Sequence, residues 1–421
     1  PGDHLNVTLT ANSNFSGGGG VTAGGGGIVT NGGSINISGQ DLIAINSPID
    51  SRLPGGSGGG GVSLTSNGNM VNVLAPVMSG SSFSASGLTG VNINAAITSG
   101  SGVLLNSSTG PVTVNQPVSI AFPFSFNVSA GGAGGFTLAS SVTSRGALLT
   151  ADNMDIQGTI NAGGGVISMQ PFAFGRPMDL GTNTPGSLGL TPAELSNLVT
   201  TGGYSFGNLN TGALTVSAAM NAPASVRVES ASTITTNAPV SVTGNLIADA
   251  PTSITTNSTV ATTGFLSASS SSITIGAPLS AQIIGLTTDN IAVNAPVKSV
   301  SDIAISTRTV SPINLGITGM DGPNSLDFTA GEINNLKTGA SGTLRIAGNS
   351  NLTVVGPIAP TGTQTIVLSS GNSVSQAAGA TITIPNLALD VFGNVNLPEA
   401  NVVGTLAARL CCAGGTFTFS N

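Results

Sequence analysis

The chain has 421 residues, 61 of them glycine, and only 6% are charged, with a formal net charge of −7. Ordinary globular domains carry roughly 25% charged residues, so Ser, Thr and Asn must solvate this surface. The nine Lys and Arg are scattered, without the basic clustering that nucleic acid requires, and no apolar run approaches the ~20 residues of a membrane helix.

In chain order, the first element is a strand at once, Leu5-Asn6-Val7-Thr8-Leu9. The opening Pro1-Gly2-Asp3-His4 has no signal-peptide pattern and reads as a processed or trimmed start. Glycine runs at 17–20, 24–27, 58–61 and 131–135 mark tight turns. Between them a phrase keeps returning: apolar, Asn, small, Pro, apolar. It stands at Asn46 and Pro48, at Pro76, at Asn94, and at Asn115 and Pro117. It returns at Asn237 and Pro239, at Asn257, at Pro278, and at Asn294 and Pro296. The positions 48, 76, 96, 117 and then 239, 259, 278, 296 step by 28, 20, 21 and by 20, 19, 18. A fixed period of this size means one supersecondary unit stacked on itself.

Each repeat also alternates with period two, as in Val71-Asn72-Val73, Val112-Thr113-Val114 and Ile273-Thr274-Ile275. That alternation sends one set of side chains inward and the other outward along a strand. Val, Ile and Thr favour strands. Disordered chains lack this content and periodicity. A propeller blade needs roughly 40–45 residues and aromatic signatures, and this chain has no Trp and one Tyr. A repeat of about 20 residues holds two or three short strands, one turn of a coil. The expected fold is therefore all-β, a right-handed parallel β-helix over 1–421. It would have roughly 20 coils and a length of ~100 Å at the strand spacing of ~4.8 Å. The Asn and Pro residues of the phrase would be its corners, with Asn side chains bonding up the stack.

A loop and short-helix insertion is expected over 163–210, and a second helical decoration over 326–340. Leu188 to Leu198 matches Leu326 to Leu336 at an offset of 138. Thr191 with Glu194, and Thr329 with Glu332, read as helix starts. Leu195, Leu198 and their counterparts would be the buried face. The C-terminal stretch 405–421 reads as strand, Gly415 to Asn421, preceded by the adjacent Cys411 and Cys412. Adjacent cysteines rarely bridge each other, because the ring strains the backbone. Free thiols are the plain reading, and bridges to another subunit the sharper one.

These phrases, with the segment LTPAELSNLVTTGGYSFGNLNTGALTVSAAMNAP at 190–223 and its partner at 328–358, resemble the filamentous-haemagglutinin-like proteins of Gram-negative bacteria. The likeness covers most of 30–360. It implies a secreted β-helix located extracellularly or at the cell surface, used as an adhesin or fibre. The chain is short for that family and has no clear two-partner secretion domain.

Catalysis on a β-helix needs paired carboxylates or Asp clusters with Lys or Arg. The 16 acidic residues stand isolated in sequence, and no pair is expected to recur one coil apart. Asp152 and Asp155 read as a turn residue and an outward strand residue; Asp249 reads as a turn. The glycine runs lack the Lys-Ser/Thr of a phosphate loop and the aspartates of calcium-binding nonapeptides. His4 is the only histidine, so no metal site and no cofactor is expected, and the chain is read as a non-enzyme. Outward threonines at 235–236 and 255–256 would align one coil apart as a solvated face.

The expected function is structural. Neither end carries an obvious cap, so one subunit would pair with the next into a head-to-tail homopolymer. Leu5, Val7, Leu9, Cys411, Cys412, Phe417 and Phe419 are the candidate subunit contacts. The alternative is an adhesin that binds surface glycans or other cells through the loop at 169–187. A polysaccharide-active enzyme is the remote third.

Overall fold

The computed structural model describes residues 4–11, 19–56, 58–319, 322, 325–411 and 414–421. It is an all-β parallel β-solenoid of about 19 turns with two short helices. The chain divides into two compact units, Pro1–Gly212 and Ala213–Asn421.

In the first unit a representative coil has three strands, Phe83–Gly87, Gly90–Ile93 and Ile97–Ser99. Each lies in its own face. Phe83 pairs in register with Val62 below and Val103 above; Val91 does so with Val71 and Val112; Ile97 does so with Val77 and Val118. On the first face the register runs Val62, Phe83, Val103, Phe126, which are steps of 21, 20 and 23 residues. The second unit repeats the plan. Leu246, Leu266, Ile284 and Ile303 stack with steps of 20, 18 and 19.

Period-two alternation sets the core. Val62–Ser66, Phe83–Gly87 and Phe126–Ala130 each alternate buried and half-buried residues. Because every strand pairs in parallel and in register, inward residues form continuous aliphatic columns. Ile45, Val73, Ile93, Val114 and Leu138 are one column, essentially inaccessible to solvent.

The returning phrase is the corner between the second and third strands. Ile45 and Ile49 are buried, Asn46 and Pro48 are exposed, and Ser47 turns inward. A small residue fits there because the bend brings the two faces together. The backbone explains the flanking residues. The corner N–H of Asn94, Asn115, Asn237 and Asn294 donates to the preceding coil, at 2.8–2.9 Å. The carbonyls of Pro48, Pro76, Pro117, Pro239, Pro278 and Pro296 each accept an N–H from that coil. Proline has no N–H to offer, and at this position the ladder asks only for its carbonyl.

The two helices, α1 (Pro192–Ser196) and α2 (Ala330–Asn335), are built alike. Thr191 and Thr329 are N-caps, and each closes a capping box with Glu194 or Glu332. The expected apolar face is different in detail. Leu195 is only half-buried, and Ile333 is its buried counterpart. Leu198 and Leu336 lie beyond the helices, in short third-face strands that pair with Ile160 and Val297. Each helix follows a strand, Leu188–Leu190 or Leu326–Thr329, and meets the end of a second-face strand. Glu194 Oε1 accepts the N–H of Ile156, and Asn197 Nδ2 donates to the Ile156 carbonyl. Glu332 Oε1 and Asn335 Nδ2 do the same for Val293. The side chains thus pair the Ile156 and Val293 backbone groups that a stacked strand would otherwise pair.

Candidate functional site

The corner residues fall where the spacing put them, and part of them form ladders. Asn115 Nδ2 donates to Asn94 Oδ1 at 2.7 Å, and Asn94 Nδ2 donates to Asn72 Oδ1 at 2.9 Å. Asn94 reaches the strand residue Asn72 because Leu74 occupies the corner below it. Asn257 Nδ2 donates to Asn237 Oδ1 at 2.9 Å. Asn46 and Asn294 use their backbone N–H in the same corner.

The acidic residues are placed in three ways. Glu194 and Glu332 are engaged by the helix caps. Asp152 is buried in a turn, where its Oδ1 accepts N–H bonds from Phe172 and Ala173, and it lies 3.8 Å from Arg176. Asp155 points outward from its strand and accepts from Gln157. The third placement corrects the expectation that no carboxylates recur one coil apart. Glu229 and Asp249 are register partners on the first face of the second unit. Arg227 Nη2 stands 2.8 Å from a carboxylate oxygen of each. Asp249 is thus a strand end and not a free turn. Burial pushes its carboxyl above the usual range, against the pull of Arg227. Hydrogen bonding to Glu229 raises the Arg227 guanidinium. The guanidinium engages both carboxylates, so the cluster is a closed ion triad.

A second charged group lies further along the same face. Arg409 grips Asp390 with Nε and Nη2 at 2.9 and 2.8 Å, and Arg345 Nη2 stands 3.6 Å from Asp390. Sequence reading missed both clusters. Their acid and base partners on different coils lie 22 (227 to 249), 19 (390 to 409) and 45 (345 to 390) residues apart, and coil length varies, so nothing local signals the register. Among the described residues, no three His, Cys, Asp or Glu side chains are grouped to hold a metal ion. His4 Nδ1 lies 2.9 Å from the Asn31 carbonyl.

The threonine rows also differ from expectation. Thr235 and Thr255 point outward, but Thr236 and Thr256 point inward, in a column with Val216, Ile275 and Val293. Their hydroxyls are buried without a hydrogen-bond partner. They line an apolar cavity of ≈ 50 Å³ that also touches Ala248 and Ala268.

Of the candidate subunit contacts, Val7, Leu9, Phe417 and Phe419 occupy core registers. Val7 and Leu9 stack over the buried Ile35 and Ile37, and Leu9 is 38% exposed. Phe417 and Phe419 stack over the buried Val395 and Leu397, and Phe417 is 42% exposed. Leu5 precedes the first strand and is exposed. The strand Val402–Leu410 pairs with Thr383–Val391 and exposes Val402 and Leu406. Cys411 is an exposed free thiol. Cys412 lies outside the described residues.

The stretch 171–187 displays Phe172 and Phe174, the latter 81% exposed. Asp152 anchors its base, and Met178–Leu180 pairs with Leu188–Leu190 to close it. None of the known protein families, curated proteins or solved structures compared with this chain matches it.

Proposed function

We propose that the chain is a structural extracellular protein that assembles head to tail into a surface fibre, in the manner of the filamentous-haemagglutinin-like proteins it resembles. The observation that carries this reading is the coil-on-coil register, in which core columns and Asn ladders repeat from turn to turn. Val7, Leu9, Phe417 and Phe419 share register with buried aliphatic columns; Leu9 and Phe417 are exposed, and Val7 and Phe419 are half-buried. The edge of a parallel sheet is a template for another strand. A second copy stacked in the same sense would continue the columns and the sheet at once. This is a heterologous contact that does not close on itself, and so builds a filament. The Asn ladders and in-register columns support the same reading, because they invest the repeat in stacking.

Phe417→Lys and Leu9→Lys are expected to abolish assembly while leaving the thermal midpoint within a few degrees. Sedimentation velocity of wild type and both variants tests it. Identical monomeric profiles for all three would refute the reading.

A second reading has one specific observation behind it. The anchored loop 171–187 presents two exposed phenylalanines, as an adhesin contact would. Deleting the loop tip should then abolish glycan or cell binding without affecting assembly.

A further inference from the structure

The second unit carries a groove on its first face that the fibre reading leaves unused. Its floor is made of small residues, Ala347, Gly348 and Gly371, and its volume is ≈ 220 Å³. Arg345, Asp390 and the exposed Phe392 stand around it. Thr307 lines it too, only 9% exposed, and its hydroxyl has no hydrogen-bond partner. A buried hydroxyl left unpaired is costly, so the groove holds polar capacity that the fold itself does not use. Glycine at 348 keeps the approach clear. A Cβ there would come within 3.3 Å of Thr307 Oγ1 and 2.8 Å of Ile313 Cδ1.

The charges in the groove are unequal. Asp390 already receives two bonds from Arg409. Arg345 makes one bond, to Ser369 Oγ at 3.2 Å, beside its longer approach to Asp390. One guanidinium therefore retains free donors in the fork geometry that matches a carboxylate. Next to it Phe392, 54% exposed, offers an aromatic face to an apolar C–H surface. A flat ligand with hydroxyls on its edge, C–H groups on its face and one carboxylate meets all three features.

We propose that this groove is a binding site for an acidic saccharide. The sugar carboxylate would lie on Arg345, its ring over Phe392, and a hydroxyl would reach Thr307. The proposal rests on the second reading above, that the chain binds glycans, and places the contact on the coil instead of the loop. A monomer carries the site as well as a fibre does.

The test is an array of saccharides bearing uronic or sialic acids beside their neutral counterparts, probed with the full chain. Affinity for the best acidic ligand is then measured by calorimetry. Arg345→Gln and Phe392→Ala are each expected to weaken it about tenfold or more, and Thr307→Val severalfold, with no thermal midpoint lowered. Phe172→Ala with Phe174→Ala should have no effect. Loss of binding in that loop variant alone would overturn the groove and keep the adhesin reading. Retention of no acidic saccharide, or equal binding of the neutral counterparts, would overturn the proposal.

Discussion

At the scale of single residues, the inward threonines are the clearest departure from an apolar core. Thr235 and Thr236 both favour strands, and sequence alone gives no reason to face one inward and the other out. The register resolves it, because Thr236 and Thr256 share a column with Val216, Ile275 and Val293. An unpartnered buried hydroxyl costs about 1–3 kcal/mol. Thr256→Val keeps the shape and removes the hydroxyl, so it should stabilise the fold by about 1 kcal/mol. Chemical denaturation checks this, and a destabilised variant would mean that the hydroxyl is bonded. Asp50 gives a pH-dependent case. The hydrogen bond from Arg52 holds its carboxyl below the ordinary 3.8. Its contribution is complete above that value and is lost as pH falls through the lower folded value. The midpoint gap between wild type and Asp50→Asn should therefore be present at neutral pH and shrink as the pH is taken below the ordinary carboxyl value of 3.8. Burial of Asp249 acts in the opposite sense, since its raised carboxyl favours folding as pH falls.

At the scale of elements, the helices show how side chains take over backbone pairing at a strand's end. The Thr-x-x-Glu spacing made their starts legible, because a capping box is a local device. What lay beyond reach was the second task of the same glutamate. Glu332 accepts from Thr329 N and Thr329 Oγ1 with one oxygen and from Val293 N with the other. Glu332→Ala removes all three bonds and leaves the Val293 N–H unpaired, so it should destabilise by about 2–3 kcal/mol. Glu194→Ala should cost a similar amount through Ile156. Glu332→Gln, which preserves one acceptor oxygen, should recover part of the loss. Urea unfolding of the three variants measures this directly; an unchanged Glu332→Ala midpoint would mean that the bond to Val293 is dispensable. The corner phrase was legible for a related reason. Its small residue turns inward and its Pro needs only a carbonyl, both requirements of one bend. The ion clusters were not legible, because coils of 18 to 23 residues shift the partner strand from turn to turn.

At the scale of the whole molecule, the solenoid was readable because one period of about 20 residues and one of two residues coincide in most coils, with longer steps such as Ile167 to Tyr204 and Ile303 to Leu344 where insertions intervene. The charged groove and the triad were not, since they depend on which coil meets which. The central claim is that a second copy continues the core columns. If so, assembly is driven by apolar stacking and backbone pairing, and salt should affect it little. Strands would run across the fibre, giving a meridional reflection near ~4.8 Å. Electron microscopy of the purified chain tests this most directly, with Phe417→Lys imaged alongside. The expected result is filaments for the wild-type chain and dispersed particles for the variant; dispersed particles for both at high concentration would contradict it.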